Sequence, residues 1–289
     1  MLCLFLTMRF LRNLIFGYKS YIKAIKFIHE HKMYWFFLIP AVLMLVIYKI
    51  GDWIQSRYIP TTADNMNEIV WFLIQVMLEL TVAFLLMKFA KYLVIIILSP
   101  LLSEISMRTE KILTGNTYPF NFKQLVADVK RAMRIVVRNM MWEYTIFVVI
   151  LIITYIMSGS KFGESPLFYL TYLVGCFYYG FGFMDYVLER VRMDMDQSIH
   201  FVRDHRGVAV ALGSIYSLLI FVPVDVGILF NWSNFELVTF LKHFGLWACA
   251  SIAPILTIVA TTIAMDGLVD LKTNVYSQKI DTLEEEESE

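Results

Sequence analysis

The sequence predicts an all-α, polytopic membrane protein, and three observations carry that prediction. The 289 residues are 58% hydrophobic and only 17% charged, with a mean hydropathy of +0.63, whereas soluble domains hold about a quarter charged residues. The apolar residues gather in runs near the roughly 20 that one helical crossing of a bilayer needs. Lys and Arg gather in alternate connections between those runs, as the positive-inside rule requires.

The chain opens on a short apolar stretch ahead of Arg9, the reverse of a signal peptide's order, and Met8 offers a second start. Over residues 13–32, Ile15, Phe16, Ile22, Ile25, Phe27 and Ile28 alternate with Lys19, Lys23 and Lys26 at helical period, which predicts an interfacial amphipathic helix. The run 33–50 follows as a first span, with Tyr34 and Trp35 as aromatic-belt residues and Pro40 tolerated inside it. Residues 51–68 carry Arg57 as their only basic residue and read as an external loop. The second run, 69–98, is about 45 Å long at 1.5 Å per residue, with Lys88 and Lys91 placed to snorkel at its inner end.

Ser99 and Pro100 punctuate the end of that run and open the largest basic segment, 99–144. Within it Asn121 and Gln124 resemble a capping box, followed by Phe122, Leu125, Val129, Met133, Val136 and Met140 on one helical face and Lys130, Arg131, Arg134 and Arg138 on the other. The basic stripe reads as a contact for anionic headgroups. Runs 145–157 and 167–184 come next, the first short for a crossing, so the pair is either two thin spans or a hairpin that enters part-way and returns. A charged segment, 185–206, holds a short helix starting at Asp194 or Asp196 and stopped by Gly207. Runs 208–230 and 244–265 form a second pair, and Pro223 and Pro254 predict kinks or breaks in them. Residues 1–268 thus read as one membrane domain, and 269–289, with Glu284, Glu285, Glu286, Glu287 and Glu289 at its end, as a solvated acidic tail. With the basic segments inside, both termini fall in the cytoplasm.

After the second run stand Ser99-Pro100-Leu101, Ser103-Glu104, Arg108, Glu110 and Thr114-Gly115; after the fourth stand Asp185-Tyr186, Leu188-Glu189-Arg190 and His205-Arg206-Gly207. These two blocks resemble the CysZ-type family of membrane proteins. The resemblance implies two long transmembrane helices followed by two pairs of membrane-inserted hairpin helices, a homo-oligomer, and sulfate uptake through a bacterial-type inner membrane. The chain departs from the family in one charged motif. Where the sulfate importers carry a Gly-Leu-Arg-Arg-like stretch before the first span, it reads Lys32-Met33-Tyr34-Trp35, and Val187 replaces the proline that follows Asp-Tyr. An ammonium with His29 and His31 nearby does not reproduce a bidentate guanidinium fork.

Three sets of residues are candidates for function. Glu79 lies deep in the second run and Asp225 beside Pro223 in the fifth; each is a pore or coupling carboxylate or else a structural hydrogen-bonding group. Arg190, Arg192, Arg203, His205 and Arg206, with Lys32, could collect an anion at the inner mouth, although the positive-inside rule alone predicts such residues. Net charge is zero, which gives no field for nucleic acid. Cys3, Cys176 and Cys249 lack metal or disulfide spacing, and no catalytic triad, phosphate loop or zinc motif is legible. The expectation is a channel or facilitative carrier for a small inorganic anion, without enzyme activity, metal or cofactor. The competing expectation is a non-transporting membrane scaffold or envelope interaction protein.

Overall fold

A computed structural model of the chain describes residues 2–57, 96–117, 122–158, 165–220, 224–230, 236–269 and 271–272. The external loop 51–68 beyond Arg57, most of the second run, Glu79, the Asn121 cap, Pro223 and the acidic tail beyond Lys272 lie outside the described residues. Among those described, the chain is helical without strands.

The first helix, α1, runs Leu2–Glu30 and is longer than the interfacial segment 13–32. It has two apolar faces. Tyr21, Ala24, Phe27 and Ile28 turn inward, while Met8, Leu11, Ile15, Tyr18, Ile22 and Ile25 form an exposed stripe at alternating three- and four-residue steps. The chain then bends through 113°, passes through a 3-10 turn at Met33–Phe37, and continues as α2, Leu38–Arg57. Lys32 stands at the elbow with φ 52°, a left-handed conformation uncommon outside glycine.

Residues 96–114 are helical (α3) straight through Ser99 and Pro100, so the expected punctuation does not occur. Pro100 is exposed there and removes only one backbone donor. Leu98, Leu102, Ile105, Ser106, Thr109 and Glu110 form its buried face. The helix stops at Gly115, whose φ of 88° and N–H to the Lys111 carbonyl (2.9 Å) form a left-handed C-terminal cap.

Helix α4, Phe122–Ser158, unites the basic stripe and the run 145–157, because no glycine or proline interrupts its 37 residues. The run judged short is therefore the end of a helix about 55 Å long, of which Met133–Ser158 is long and apolar enough to cross a membrane. A 3-10 turn at Pro166–Tyr169 leads into α5, Leu170–Arg190. Helix α6, Met195–Asp204, starts on a complete capping box: Gln197 N–H donates to Asp194 Oδ1 (2.8 Å) and Asp194 N–H to Gln197 Oε1 (3.1 Å).

Helix α7, Arg206–Ile220, begins one residue before Gly207, which is not a stop signal. Its 15 residues reach about 22 Å, short of a 30 Å hydrocarbon core. A 3-10 turn at Val226–Leu229 precedes α8, Leu237–Val269, which passes through Pro254 as one helix.

Helix α7 is the centre of the packing because its small residues let backbones meet. A Cβ on Gly213 would collide with the Cys176 carbonyl of α5, and one on Gly180 of α5 with the Ala209 carbonyl. On the other side a Cβ on Gly207 would strike the Phe10 carbonyl of α1, and one on Gly17 the Ala211 methyl. Tyr179, Phe183 and Tyr216 fill the α5–α7 core edge to face, at centroid distances of 5.3 and 4.9 Å from Tyr216. Helix α8 closes the bundle, and Tyr21 of α1 donates to the Leu212 carbonyl (2.6 Å) and meets Thr257 Oγ1 (2.9 Å), tying three helices together.

Candidate functional site

Buried charge gathers where α3, α4, α5 and α6 converge, in two knots. In the first, Arg190 Nε donates to Glu110 Oε2 (2.9 Å), Nη2 to Ser106 Oγ (2.7 Å) and Nη1 to the Tyr186 carbonyl (3.0 Å). Ser106 in turn lies 2.6 Å from Thr262 Oγ1 of α8. The Thr262 proton is already given to the Ile258 carbonyl (2.9 Å), so Ser106 is the donor in that contact. Glu110 also accepts from Asn116 Nδ2 (3.4 Å), which holds the Leu271 carbonyl at 2.9 Å. One guanidinium thereby joins α5, α3, α8 and the segment after α8.

The second knot is centred on Arg131 of α4. Its Nη2 and Nε grip Asp185 at 3.2 and 3.4 Å, Nη1 donates to the Met193 carbonyl (2.9 Å), and Nη2 also reaches Ser198 Oγ (3.2 Å). Glu189 stands 3.8 Å from the same Nε. Asp185 is almost fully buried, so the pair is desolvated and geometrically specific rather than a surface contact.

The proposed inner-mouth cluster does not assemble as a set. Arg190 is committed to Glu110. Arg192 occupies the left-handed position (φ 53°) of a Schellman end to α5, with its N–H on the Glu189 carbonyl (2.9 Å) and the Met193 N–H on that of Leu188 (3.0 Å). His205 donates from Nδ1 to the Phe201 carbonyl (2.9 Å) under the Phe201 ring, a device repeated by His31 on Phe27. Arg203 and Arg206 are exposed, and Lys32 lies at the elbow between α1 and α2.

Asp225 is exposed and caps the turn before α8: its Oδ1 accepts from Gly227 N–H (2.9 Å), and its own N–H donates to His243 Nδ1 (3.0 Å). That placement fits a surface cap between α7 and α8. Glu104 pairs with Arg108 (2.6 Å) on the exposed side of α3, facing an open groove of about 410 Å³ that Lys111 and Asn116 also line. Ser99 and Tyr186 are buried, and Gly207 marks the α1–α7 contact.

The two motif blocks therefore meet through Glu110 and Arg190. Glu110 of the first block and Ser106, which lies within its span, bind Arg190 of the second; Asp185 of the second binds Arg131, which sequence reading placed in a stripe contacting anionic headgroups. A family model described as Sulfate transporter CysZ/Etoposide-induced protein 2.4 matches residues 20–230. The chain belongs to this family. The matched range holds both blocks, the second knot and the Arg190–Glu110–Ser106 centre of the first in the CysZ/etoposide-induced protein 2.4 chain, together with the α5–α7 contact. No curated protein matches the chain.

Sequence reading also missed a polar group farther along α4. Asn139 and Glu143, one turn apart in a membrane-capable segment, are both buried, and Arg138 lies with its guanidinium 5.0 Å from the Phe181 ring centroid. The available signal was their four-residue spacing ahead of an apolar run, which was divided between a cytoplasmic segment and a span.

Proposed function

We propose that this CysZ/etoposide-induced protein 2.4 member is a multi-pass inner-membrane protein that lets a small, sulfate-like inorganic anion cross by facilitated diffusion. The family match over residues 20–230 carries the reading. The convergence of basic residues on the N-terminal part of α4, the α5–α6 turn and the start of α7 supports it, because one end of the bundle then attracts anions. In this reading that end and both termini face the cytoplasm, and α4–α5 and α7–α8 are the two inserted hairpins. The exposed apolar faces of α1 and α4 meet lipid or further copies of the chain in a homo-oligomer.

A second reading has one specific observation behind it. Arg190 is spent on Glu110, and no arginine pair stands immediately before the first span, which favours a scaffold whose short α7 and bent α1–α2 pair shape the bilayer without moving solute.

Radiolabelled sulfate uptake into proteoliposomes separates the two. Saturable entry above empty liposomes, competed by other tetrahedral oxyanions, is expected for the carrier. No entry of any oxyanion at matched reconstitution gives the scaffold reading precedence.

A further inference from the structure

Helix α1 divides its circumference into three sectors. At about 100° per residue, Tyr21, Ala24, Phe27 and Ile28 face the bundle, and the exposed stripe from Met8 to Ile25 covers roughly 100° on the outer side. Arg9, Arg12, Lys19, Lys23 and Lys26 fill one flank between those two sectors, and all five are exposed. Lys26 stands 3.7 Å from Glu30, and among the described residues the other four cations make no hydrogen bond or ion pair. Glu30 is the only acid in the helix and lies at its end.

An apolar sector and a cationic sector that both run the length of a helix are satisfied together when its axis lies in the membrane–water interface. Apolar side chains then reach the acyl boundary while Lys and Arg keep their charges at headgroup depth. A crossing orientation would carry Lys19 and Lys23, in the middle of the helix, into hydrocarbon. The 113° bend between α1 and α2 supplies the change of direction that an in-plane helix needs before a span. The cations extend over about 26 Å of helix, so they face a surface and do not converge on one small ion. A second copy meeting the stripe about a two-fold axis would set two basic rows side by side. On α4, by contrast, Arg131 is taken by Asp185, which leaves Lys130 and Arg134 as the exposed cations of that stripe.

We propose that α1 is an in-plane contact for anionic lipid: its outer stripe lies at the acyl boundary, and Arg12, Lys19 and Lys23 hold the phosphates of acidic headgroups along its flank. The exposed face of α1 is thereby assigned to lipid, and the headgroup contact expected of α4 belongs chiefly to α1. Each cation held near an anionic surface adds to the attraction, and the row acts as a sum of such terms. The leaflet it occupies rests on the membrane placement proposed above; the preference for acidic lipid does not depend on any solute being carried.

Fluorescence quenching in vesicles tests the contact. The full chain, with Cys3, Cys176 and Cys249 replaced by alanine, carries a bimane label at Ile22→Cys in equimolar phosphatidylglycerol and phosphatidylcholine, one of the two lipids brominated on its acyl chains. Quenching about threefold or more stronger from brominated phosphatidylglycerol is expected. The preference should vanish in the double variant Lys19→Gln, Lys23→Gln, persist in Lys19→Arg, Lys23→Arg, and persist in Lys130→Gln, Arg134→Gln on α4. It should also fade in about 1 M salt, where the Debye length is about 3 Å. No quenching by either lipid means that protein covers the stripe and overturns the proposal. Equal quenching by the two lipids in the parent overturns it as well, as does an equal loss from the α1 and α4 glutamine variants. The vesicles hold no transported solute, so this outcome and that of the sulfate uptake measurement are independent.

Discussion

Helices α4 and α8 have membrane-capable segments of the same mean hydropathy, yet they live in different surroundings. Only 17% of the apolar window in α4 is buried within the chain, against 78% of that in α8. The α4 surface is branched and long, with Val148, Val149, Ile152, Ile153 and Ile156 exposed, whereas the buried part of α8 alternates Ile255, Ile258 and Val259 with Ala253, Ala260 and Ala264 and with Thr257, Thr261 and Thr262. Hydropathy measures the cost of leaving water, which lipid and protein both relieve. Small residues and back-bonded hydroxyls let helices approach closely, and these mark the helix that is surrounded by others.

The largest effect expected from this contrast comes from the closest backbone contact. Gly180→Leu or Gly213→Leu drives side-chain atoms into a carbonyl of the facing helix. The cost should exceed the roughly 4–5 kcal/mol that marks an exceptional substitution, and the protein should fail to yield a monodisperse peak in size-exclusion chromatography. Gly182→Leu, two residues away with open space around its Cβ position, should express and elute normally. Equal behaviour of Gly180 and Gly182 variants would refute the packing described for α7.

Next come the buried charges. Arg190→Ala leaves Glu110, which is 1% exposed, without its cation, at a cost of about 3–5 kcal/mol. Replacing both residues by Leu should return most of that stability in thermal unfolding, since the desolvation penalty disappears with the charges. The pair Arg108–Glu104 is shorter at 2.6 Å, yet its side chains are 58% and 42% exposed. Its disruption by Arg108→Ala should cost no more than about 0.5 kcal/mol, so the two pairs separate burial from geometry.

Much of the fold was legible in sequence, and the exceptions have physical causes. Apolar runs located α2, α5 and α8, and the Asp194 signal located the α6 cap, because capping depends on residues three apart in the chain. The joining of residues 122–158 into one helix was hidden, since polarity changes along it while helix propensity does not. The knots were half visible: Glu110, Asp185 and Arg190 stood in recognisable blocks, but Ser106 was assigned no role and Arg131 was read as a headgroup contact, because pairing partners lie 54 to 84 residues apart. Arg192 and Gly207 carried misleading signals. An arginine in the left-handed position of a Schellman motif looks like a cation for binding, and a glycine chosen for helix contact looks like a helix stop.

Of middle size is truncation on the two helices themselves. Ile258→Ala, in the interior of α8, removes packing on all sides and should cost about 2–5 kcal/mol. Ile156→Ala on α4, 77% exposed to its surroundings, should stay within about 0.5 kcal/mol in detergent. Similar losses at both positions would mean that a second copy of the chain covers α4, which turns the contrast into a measurement of assembly.

The smallest expected difference lies within α8 alone, and it isolates burial from every property of the helix as a whole. Leu237, Val238, Leu241 and Cys249 are exposed along its first third, and burial begins at Ala250 and continues to Met265. Ile255→Val removes one methyl group from a site with no exposed area, where the surrounding helices are fixed by their glycine contacts and cannot collapse inward, so about 0.5–1.5 kcal/mol should be lost. Val238→Ala removes two methyl groups from the exposed end, and because no neighbour in the chain loses a contact the change should remain near zero, within about 0.5 kcal/mol. The larger deletion would then give the smaller effect in denaturant or thermal unfolding. If Val238→Ala were the costlier, the first third of α8 must pack against something outside this fold, since neither propensity nor hydropathy favours valine over alanine there strongly enough to reverse the order.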